Sequence, residues 1–258
     1  MSFQTISFDV SDNVALITFR RPDVMNALNS QMRAEIRDAF ERGGREARVV
    51  VMTGEGRGFC SGQDLADGGN AAKIDLEATL RDEYVPMLRA IIDCPVPTIA
   101  AVNGTAAGAG ANLALAADVV IASDEAKFIQ AFAKIALIPD AGGTYWLPRQ
   151  VGSARAMGAS LFAEPVTAQQ AADWGMIWEA VPEAEFDAHW RARARHLAEG
   201  PTETYRHIKT AIRGSYDNDL DGQLALEAKL QGIAGKSRDF MEGVTAFLQK
   251  RKADFQGR

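Results

Sequence analysis

Histidine and cysteine are scarce in this chain: three and two residues among 258. The histidines (His189, His196, His207) all fall in the last third, far along the sequence from Cys60 and Cys94. The two cysteines form no CxxC pair and no zinc-type spacing. A disulfide framework, a local Cys–His nucleophile and a metal centre are therefore poor readings, and a reducing, cytoplasmic home is the expectation. Long apolar runs are also missing. None approaches the roughly 18 residues of a membrane span. The N-terminal MSFQTISFDV has no basic stretch followed by an apolar one, so it does not read as a signal peptide. Nor is there an excess of positive charge. A net charge of -6 and a pI near 5.2 argue against general nucleic-acid binding, which draws on a basic surface. Local cations can still hold an anionic small molecule. Arg20, Arg21, Lys250, Arg251 and Lys252 are the candidates.

What is there suits one large core, or a core with a helical appendage: 47% of the residues are hydrophobic. Residues 3–8 and 14–19 alternate around Ser11-Asp12-Asn13 and read as a hairpin. Asn29 or Ser30 can cap a helix to about Arg42, stopped by Gly43-Gly44. Residues 49–53, 98–102 and 118–122 are apolar runs suited to buried strands. A helix is expected over about Asp75 to Ile92, a short one ending near Ala117, and another starting at Asp140 and broken near Pro148. From about Glu185 long amphipathic helices follow, split by Gly200-Pro201, Gly214 and Gly235. The expected fold class is α/β, with a β/α core to about residue 195 and an all-helical piece beyond.

Three segments carry candidate chemistry. The loop Asn103 to Gly110 invites a dinucleotide-binding reading, but Leu113 stands where the third glycine of that fingerprint belongs. Its small residues can instead serve close backbone approach to a ligand at a helix N-terminus, or tight helix–sheet packing. Gly58-Phe59-Cys60-Ser61-Gly62-Gln63-Asp64-Leu65 is a second small-residue loop behind a buried strand. Its serine is one place off the nucleophile-elbow pattern, and Cys60 reads as a buried thiol. If the two loops meet, paired backbone N–H groups would form an oxyanion hole. The third segment is Ile138-Pro139-Asp140-Ala141-Gly142-Gly143, whose Asp140 lies among Ile135, Leu137, Ile138 and Trp146. By itself Asp140 reads either as a helix cap or as an acid–base group.

Taken in order, several motifs resemble the crotonase (enoyl-CoA hydratase/isomerase) superfamily. They are Arg21-Pro22, Asn26-Ala27-Leu28-Asn29, Phe59 to Leu65, Ala101-Val102-Asn103-Gly104, Gly108-Ala109-Gly110, Ile138-Pro139, Gly142-Gly143-Thr144 and Phe247 to Phe255. The resemblance covers essentially the whole chain. It implies a crotonase-type spiral of ββα units over 1–195, carrying an acyl-CoA site, and a helical trimerisation region over 196–258. It implies a homo-trimer or hexamer, a coenzyme A thioester as substrate, and no permanently bound cofactor. Carried over, the thioester oxygen would meet the amides of Ser61 and Ala109. Gly62, Gln63, Asp64 and Leu65 would run along CoA, and Phe247 and Lys250 would reach it from a neighbouring subunit or a tail.

The departures from the family pattern sharpen the expectation. The two glutamates of the family's hydratases would align with Asn112 and Phe132, so neither carboxylate is present. Asp140 occupies a third position, eight residues after Phe132, where dienoyl-CoA isomerases, ring-epoxide phenylacetyl-CoA isomerases and an aromatic dehalogenase of the family carry an acid; the histidine used by the dehalogenase has no counterpart before Pro95. The runs Leu137 to Thr144 and Ala106 to Ala111 resemble the ring-1,2-epoxyphenylacetyl-CoA isomerase branch, which implies a role in phenylacetate catabolism. The expected enzyme is a single-acid acyl-CoA isomerase with Asp140 as base and with Asn112, Phe132 and Trp146 lining the pocket. The rivals are an enoyl-CoA hydratase with a shifted acid and a non-catalytic CoA-binding paralogue. The stretch from about Ala66 to Pro86, with Gly68-Gly69 and Lys73, is expected to shape the acyl pocket, with Tyr84, Met87 and Leu88 as candidate lining.

Overall fold

Val49–Gly54 (β3) and Thr98–Val102 (β5) are apolar on both faces, and both faces are covered. Side chains alternate along a strand, so Val49, Val51, Ile99 and Ala101 point one way, against Phe186, Trp190, Ala194 and Ala198 of helix α7 (Glu183–Ala198). Val50, Met52, Ala100 and Val102 point the other way into the larger core, with Met32, Ile36, Ala39 and Phe40 of α1 (Ser30–Glu46). A computed structural model provides these coordinates and describes residues 3–67 and 75–257. Gly68, Gly69 and Lys73 lie outside the described residues.

The large sheet has six strands in the order β1 (Ile6–Ser11), β2 (Val14–Phe19), β3, β5, β7 (Val119–Ser123), β10 (Glu179–Val181). The first pair is the expected antiparallel hairpin and every later pair is parallel. Each of β3, β5 and β7 is followed within a few residues by a short strand of a second sheet, β4 (Gly58–Cys60), β6 (Thr105–Ala107) and β8 (Lys127–Ile129), which β9 (Val166–Thr167), just before α6 (Ala168–Asp173), completes. Chain segments then return as helix, so strand–strand–helix units stack as a spiral of ββα repeats. Because β4, β6 and β8 pair in parallel, the loops leaving them come out side by side.

Local differences from the sequence expectation have local causes. Asn29 caps α1 by accepting from the Met32 N–H, but Gly43-Gly44 does not stop the helix. A Cβ on Gly43 would lie 3.0 Å from Val50 Cγ2 and 3.1 Å from Ala15 Cβ, so this glycine lets α1 pack closely on the sheet. The segment from Leu76 to Ile92 is continuous helix behind the Asp75 cap, with α2 (Leu76–Thr79), one wide π-type turn at Leu80–Tyr84, and α3 (Val85–Ile92). Pro86 has no N–H to give and would crowd the carbonyl of Asp82; the wider turn relieves this. The helix expected at Asp140 begins at Gly143 and runs to Phe162 (α5), and its kink falls at Gly152 rather than Pro148. In the tail, α8 (Thr202–Gly214) docks through Lys209 and Arg213, which both pair with Asp118 at 2.7 Å. It is followed by α9 (Leu220–Ala234) and α10 (Arg238–Gln249). Residue 195 lies inside α7. Among the described residues no helix is long and apolar enough to cross a membrane.

Candidate active site

The loops that leave β4 and β6 meet. A Cβ on Gly110 would lie 2.3 Å from the carbonyl oxygen of Cys60. A Cβ on Gly62, at φ +96°, would lie 2.8 Å from Ala107 O and 3.3 Å from Ala109 N. Only residues without a side chain permit two backbones to approach like this. Ala109 is the first residue of α4 (Ala109–Leu115), where a helical N–H has no partner within its own helix.

Of the two amides expected to face a thioester oxygen, one is placed differently. The Ser61 N–H donates to Met25 O at 2.9 Å, and its hydroxyl donates to Val24 O at 3.0 Å. Ser61 is thus tied to the 24–25 turn and has no amide to offer. Just beyond, Leu28 donates to Gly62 O at 2.7 Å and accepts from the Asp64 N–H at 3.1 Å. Backbone groups alternate in direction along an extended segment. With 62 and 64 turned toward Leu28, the Gln63 N–H is turned to the opposite edge, where Ala107 and Ala109 lie. Among the described residues neither the Gln63 nor the Ala109 N–H donates to a protein acceptor. Gln63 and Ala109 supply a pair of open donors at this junction.

Two arginines clamp the loop from behind. Arg21 pairs with Asp64 at 2.8 Å and donates to Ala27 O. Arg33, 2% exposed, donates to Leu28 O at 2.6 Å and to Gln63 Oε1 at 3.0 Å, and pairs with Glu83 at 2.7 Å. Tyr84, also buried, donates to the same Gln63 Oε1 at 2.5 Å. The side-chain oxygen of Gln63 and the carboxylate of Asp64 are therefore turned into the protein, whereas Leu65 is exposed. Arg33 was not foreseen as part of the site. Its position three residues before Ile36, on the apolar stripe of α1, was the available signal. Of the five cations considered for phosphates, Arg20, Arg21, Arg251 and Lys252 pair with carboxylates, and Lys250 forms no ion pair among the described residues.

Asp140 sits just before the N-terminus of α5 but does not cap it. The N-cap is Gly142, with no side-chain hydrogen bond, and Asp140 Oδ1 is enclosed with no hydrogen-bond partner. Burial without a compensating bond pushes its pKa up to about 6. The enclosure differs in detail from expectation, because Ile135 and Ile138 are 54% and 78% exposed. Burial also raises the Tyr84 phenol. The Arg33 charge opposes this, and the Asp140 carboxylate adds to it, which puts Tyr84 and Asp140 within electrostatic reach of each other.

Asn112 is fully buried, with Nδ2 donating to the Asp140 carbonyl at 2.8 Å and Oδ1 accepting from Gln130 Nε2 at 2.8 Å. It holds the Asp140 turn from below instead of facing a substrate. Phe132 is buried with its ring edge 3.8 Å from a Cβ built on Gly108, beside the loop that ends in Ala109. The Trp146 indole folds back onto Gly142, where a Cβ would lie 2.3 Å from Nε1. Phe247 and Lys250 end α10, are exposed, and form no hydrogen bond with the site within one chain among the described residues. Cys60 is buried and its thiol is pushed up to about 12, so it is not a thiolate.

Comparison with known proteins fits this arrangement. The family model described as enoyl-CoA hydratase/isomerase matches residues 9–258. A Rhodobacter capsulatus protein named "Probable enoyl-CoA hydratase" is 59% identical over the full length of both chains. The 1,2-epoxyphenylacetyl-CoA isomerase of Escherichia coli is 44% identical over 96% of this chain and 97% of that one. The crystal structure of an enoyl-CoA hydratase from Bacillus anthracis superimposes with a TM-score of 0.91 at 30% identity, covering 99% of this chain and 100% of the other. The chain belongs to the enoyl-CoA hydratase/isomerase family and has the crotonase fold.

Proposed function

We propose that the protein is an acyl-CoA isomerase that works with one carboxylate. The observation that carries this reading is the enclosed, unpartnered Asp140 Oδ1, in a site where Asn112 and Phe132 supply no second acid. The thioester oxygen lies between the Gln63 and Ala109 N–H groups. Asp140 takes a proton from carbon; the C–H electron pair moves into the carbonyl, and the enolate oxygen gains its charge beside the two donors. Each such donor is worth roughly 10²–10³ in rate. The proton then returns from Asp140 to a different carbon. A carboxylate with pKa near 6 is mostly ionised at pH 7 yet basic enough for this work.

The acyl group is 2-(1,2-epoxy-1,2-dihydrophenyl)acetyl or a related unsaturated chain, supported by the likeness to the Escherichia coli isomerase. Proton removal then accompanies opening of the strained ring toward a seven-membered oxepin. CoA runs past Gly62 to Leu65, with Phe247 and Lys250 supplied by a neighbouring subunit. Leu220, Leu224, Met241, Phe247 and Leu248, all largely exposed, support a homo-trimer or hexamer built through residues 196–258. A solution mass equal to one chain would sink that assignment.

A second reading, enoyl-CoA hydratase, is favoured by the 59% identical relative and its name. A panel of aromatic and aliphatic acyl-CoA thioesters, scored separately for isomerisation and hydration, decides between the two. Rapid hydration of crotonyl-CoA, with no isomerisation of any member, overturns the isomerase. An Asp140→Asn variant that binds CoA and retains most turnover overturns Asp140 as the base.

A further inference from the structure

Gln63 brings two groups to the site, a backbone N–H and a side-chain carboxamide. The carboxamide is gripped by one atom only, which accepts from Arg33 Nη1 at 3.0 Å and from Tyr84 Oη at 2.5 Å. A guanidinium can only donate, so the gripped atom is the oxygen and the other is the amine. The grip is stiff. Arg33 and Tyr84 are each 2% exposed, the guanidinium lies 5.0 Å from the Tyr84 ring centroid, and Arg33 is held in turn by Leu28 O and by Glu83. Tyr84 itself closes the wide turn that precedes α3, a feature that recurs at functional sites.

A carboxamide with its oxygen fixed has its nitrogen fixed as well. Among the described residues Gln63 Nε2 meets no acceptor, yet it is not one of the enclosed polar atoms left without partners. It therefore opens onto accessible space. The backbone of Gln63 lies at the junction with Ala109, and the far end of its side chain meets Tyr84, which feels the charge of Asp140. The carboxamide thus lies within one side chain's length of the thioester end of the site, beside Tyr84.

We propose that Gln63 is a specificity-determining residue whose Nε2–H donates to an oxygen carried by the acyl group, distinct from the thioester oxygen. It selects acyl groups with an acceptor near the reacting carbons, such as a ring ether or epoxide, over all-carbon chains. The inference rests on the single-acid isomerase reading and names the substrate class of that site. A site built to bond a substrate oxygen rejects the analogue that lacks it, because its donor is then left unpaired.

Gln63→Glu isolates the donor. The carboxylate has the same shape and still accepts from Arg33 and Tyr84, and the backbone N–H is untouched, but nothing is left to donate. The added charge acts on Asp140 equally for every substrate, so it cancels in a ratio. The quantity to measure is kcat/KM for the epoxide thioester divided by kcat/KM for an all-carbon 3-enoyl-CoA of similar size. The expected result is a fall in that ratio of about tenfold or more. Tyr84→Phe, which frees the carboxamide to turn, should move the ratio the same way by less. An unchanged ratio, with both substrates slowed together, overturns the inference and leaves Gln63 a structural anchor.

A second measurement needs no variant. The unmodified enzyme should bind (tetrahydropyran-2-yl)acetyl-CoA about tenfold more tightly than cyclohexylacetyl-CoA, which differs by one ring oxygen; equal affinities overturn the inference. If neither the epoxide nor the enoyl thioester is isomerised, the isomerase reading fails, and the paired affinities still decide the role of Gln63.

Discussion

The Asn112 side-chain amide donates to the backbone carbonyl of Asp140 at 2.8 Å, and its oxygen accepts from Gln130. The position that the family resemblance assigned to a hydratase glutamate therefore supports the base from beneath. A Cβ on Gly143 would fall 2.3 Å from Asn112 Nδ2, so the first residue of α5 closes over the amide as well. Asn112→Asp keeps the shape but sets an oxygen against the Asp140 carbonyl oxygen in a fully buried place. Expected are a loss of about 3 kcal/mol in urea denaturation, a lower kcat with little change in KM, and no gain of hydration. Appearance of crotonyl-CoA hydration would mean that position 112 reaches substrate after all.

Asp140 is costly to the fold for the reason that makes it useful. Its pKa is about 6 in the folded protein, against about 3.9 for an aspartate in an unfolded chain. The folded state binds the proton more tightly, so stability falls as pH rises between those two values. At pH 7 the penalty is about 3 kcal/mol. Asp140→Asn should therefore raise stability by up to that amount at pH 7. The gain should shrink as pH drops from 6 and vanish below about 4. Denaturation of both proteins at pH 7 and pH 4 checks this; a variant less stable at pH 7 would show that the carboxylate is compensated in the fold.

The same titration governs rate. A base must be ionised, so kcat/KM for isomerisation should climb with pH through about 6 and level off above it. Binding of a non-reactive CoA thioester should stay nearly flat over that range, because the Gln63 and Ala109 donors are backbone groups that do not titrate. A profile without an acidic limb near 6 would remove Asp140 from the proton path.

Much of this was legible in the sequence. The apolar runs 49–53 and 98–102 announced buried parallel strands, and the small residues at 60–62 and 108–110 announced close backbone contact. The choice between Ser61 and Gln63 was not legible. Backbone N–H groups reverse direction at each residue of an extended segment, but Gly62, at φ +96°, interrupts the alternation between Ser61 and Gln63, and the acceptors on either side of it, Met25 O and Leu28 O, come from a distant turn. The Arg33 clamp was hidden for a similar reason. An arginine on an apolar helix face announces that it will be buried, but its acceptors, Leu28 O, Gln63 and Glu83, are assembled only by the fold. Whether Asp140 caps a helix was open because the start of α5 depends on the turn at Gly142 rather than on Pro139.

Gly110 tests whether the junction of the two loops is the site. A Cβ there would lie 2.3 Å from Cys60 O and 2.8 Å from Cys60 Cβ. Backbone cannot yield as the tip of a long side chain can, so the loops must part. Overpacking of this kind costs about 1–3 kcal/mol, which a protein of this size can survive. Parting moves the Ala109 N–H away from the Gln63 N–H, and donors to a developing oxyanion lose their effect with small displacements. Gly110→Ala should therefore lower kcat about 100-fold or more while the folded fraction at 25 °C stays high by circular dichroism. Gly158→Ala, on the outer part of α5 with nothing within 4 Å of its Cβ, is the matched control and should leave rate and fold alone. Full activity in a folded Gly110→Ala protein would place the thioester somewhere other than between Gln63 and Ala109.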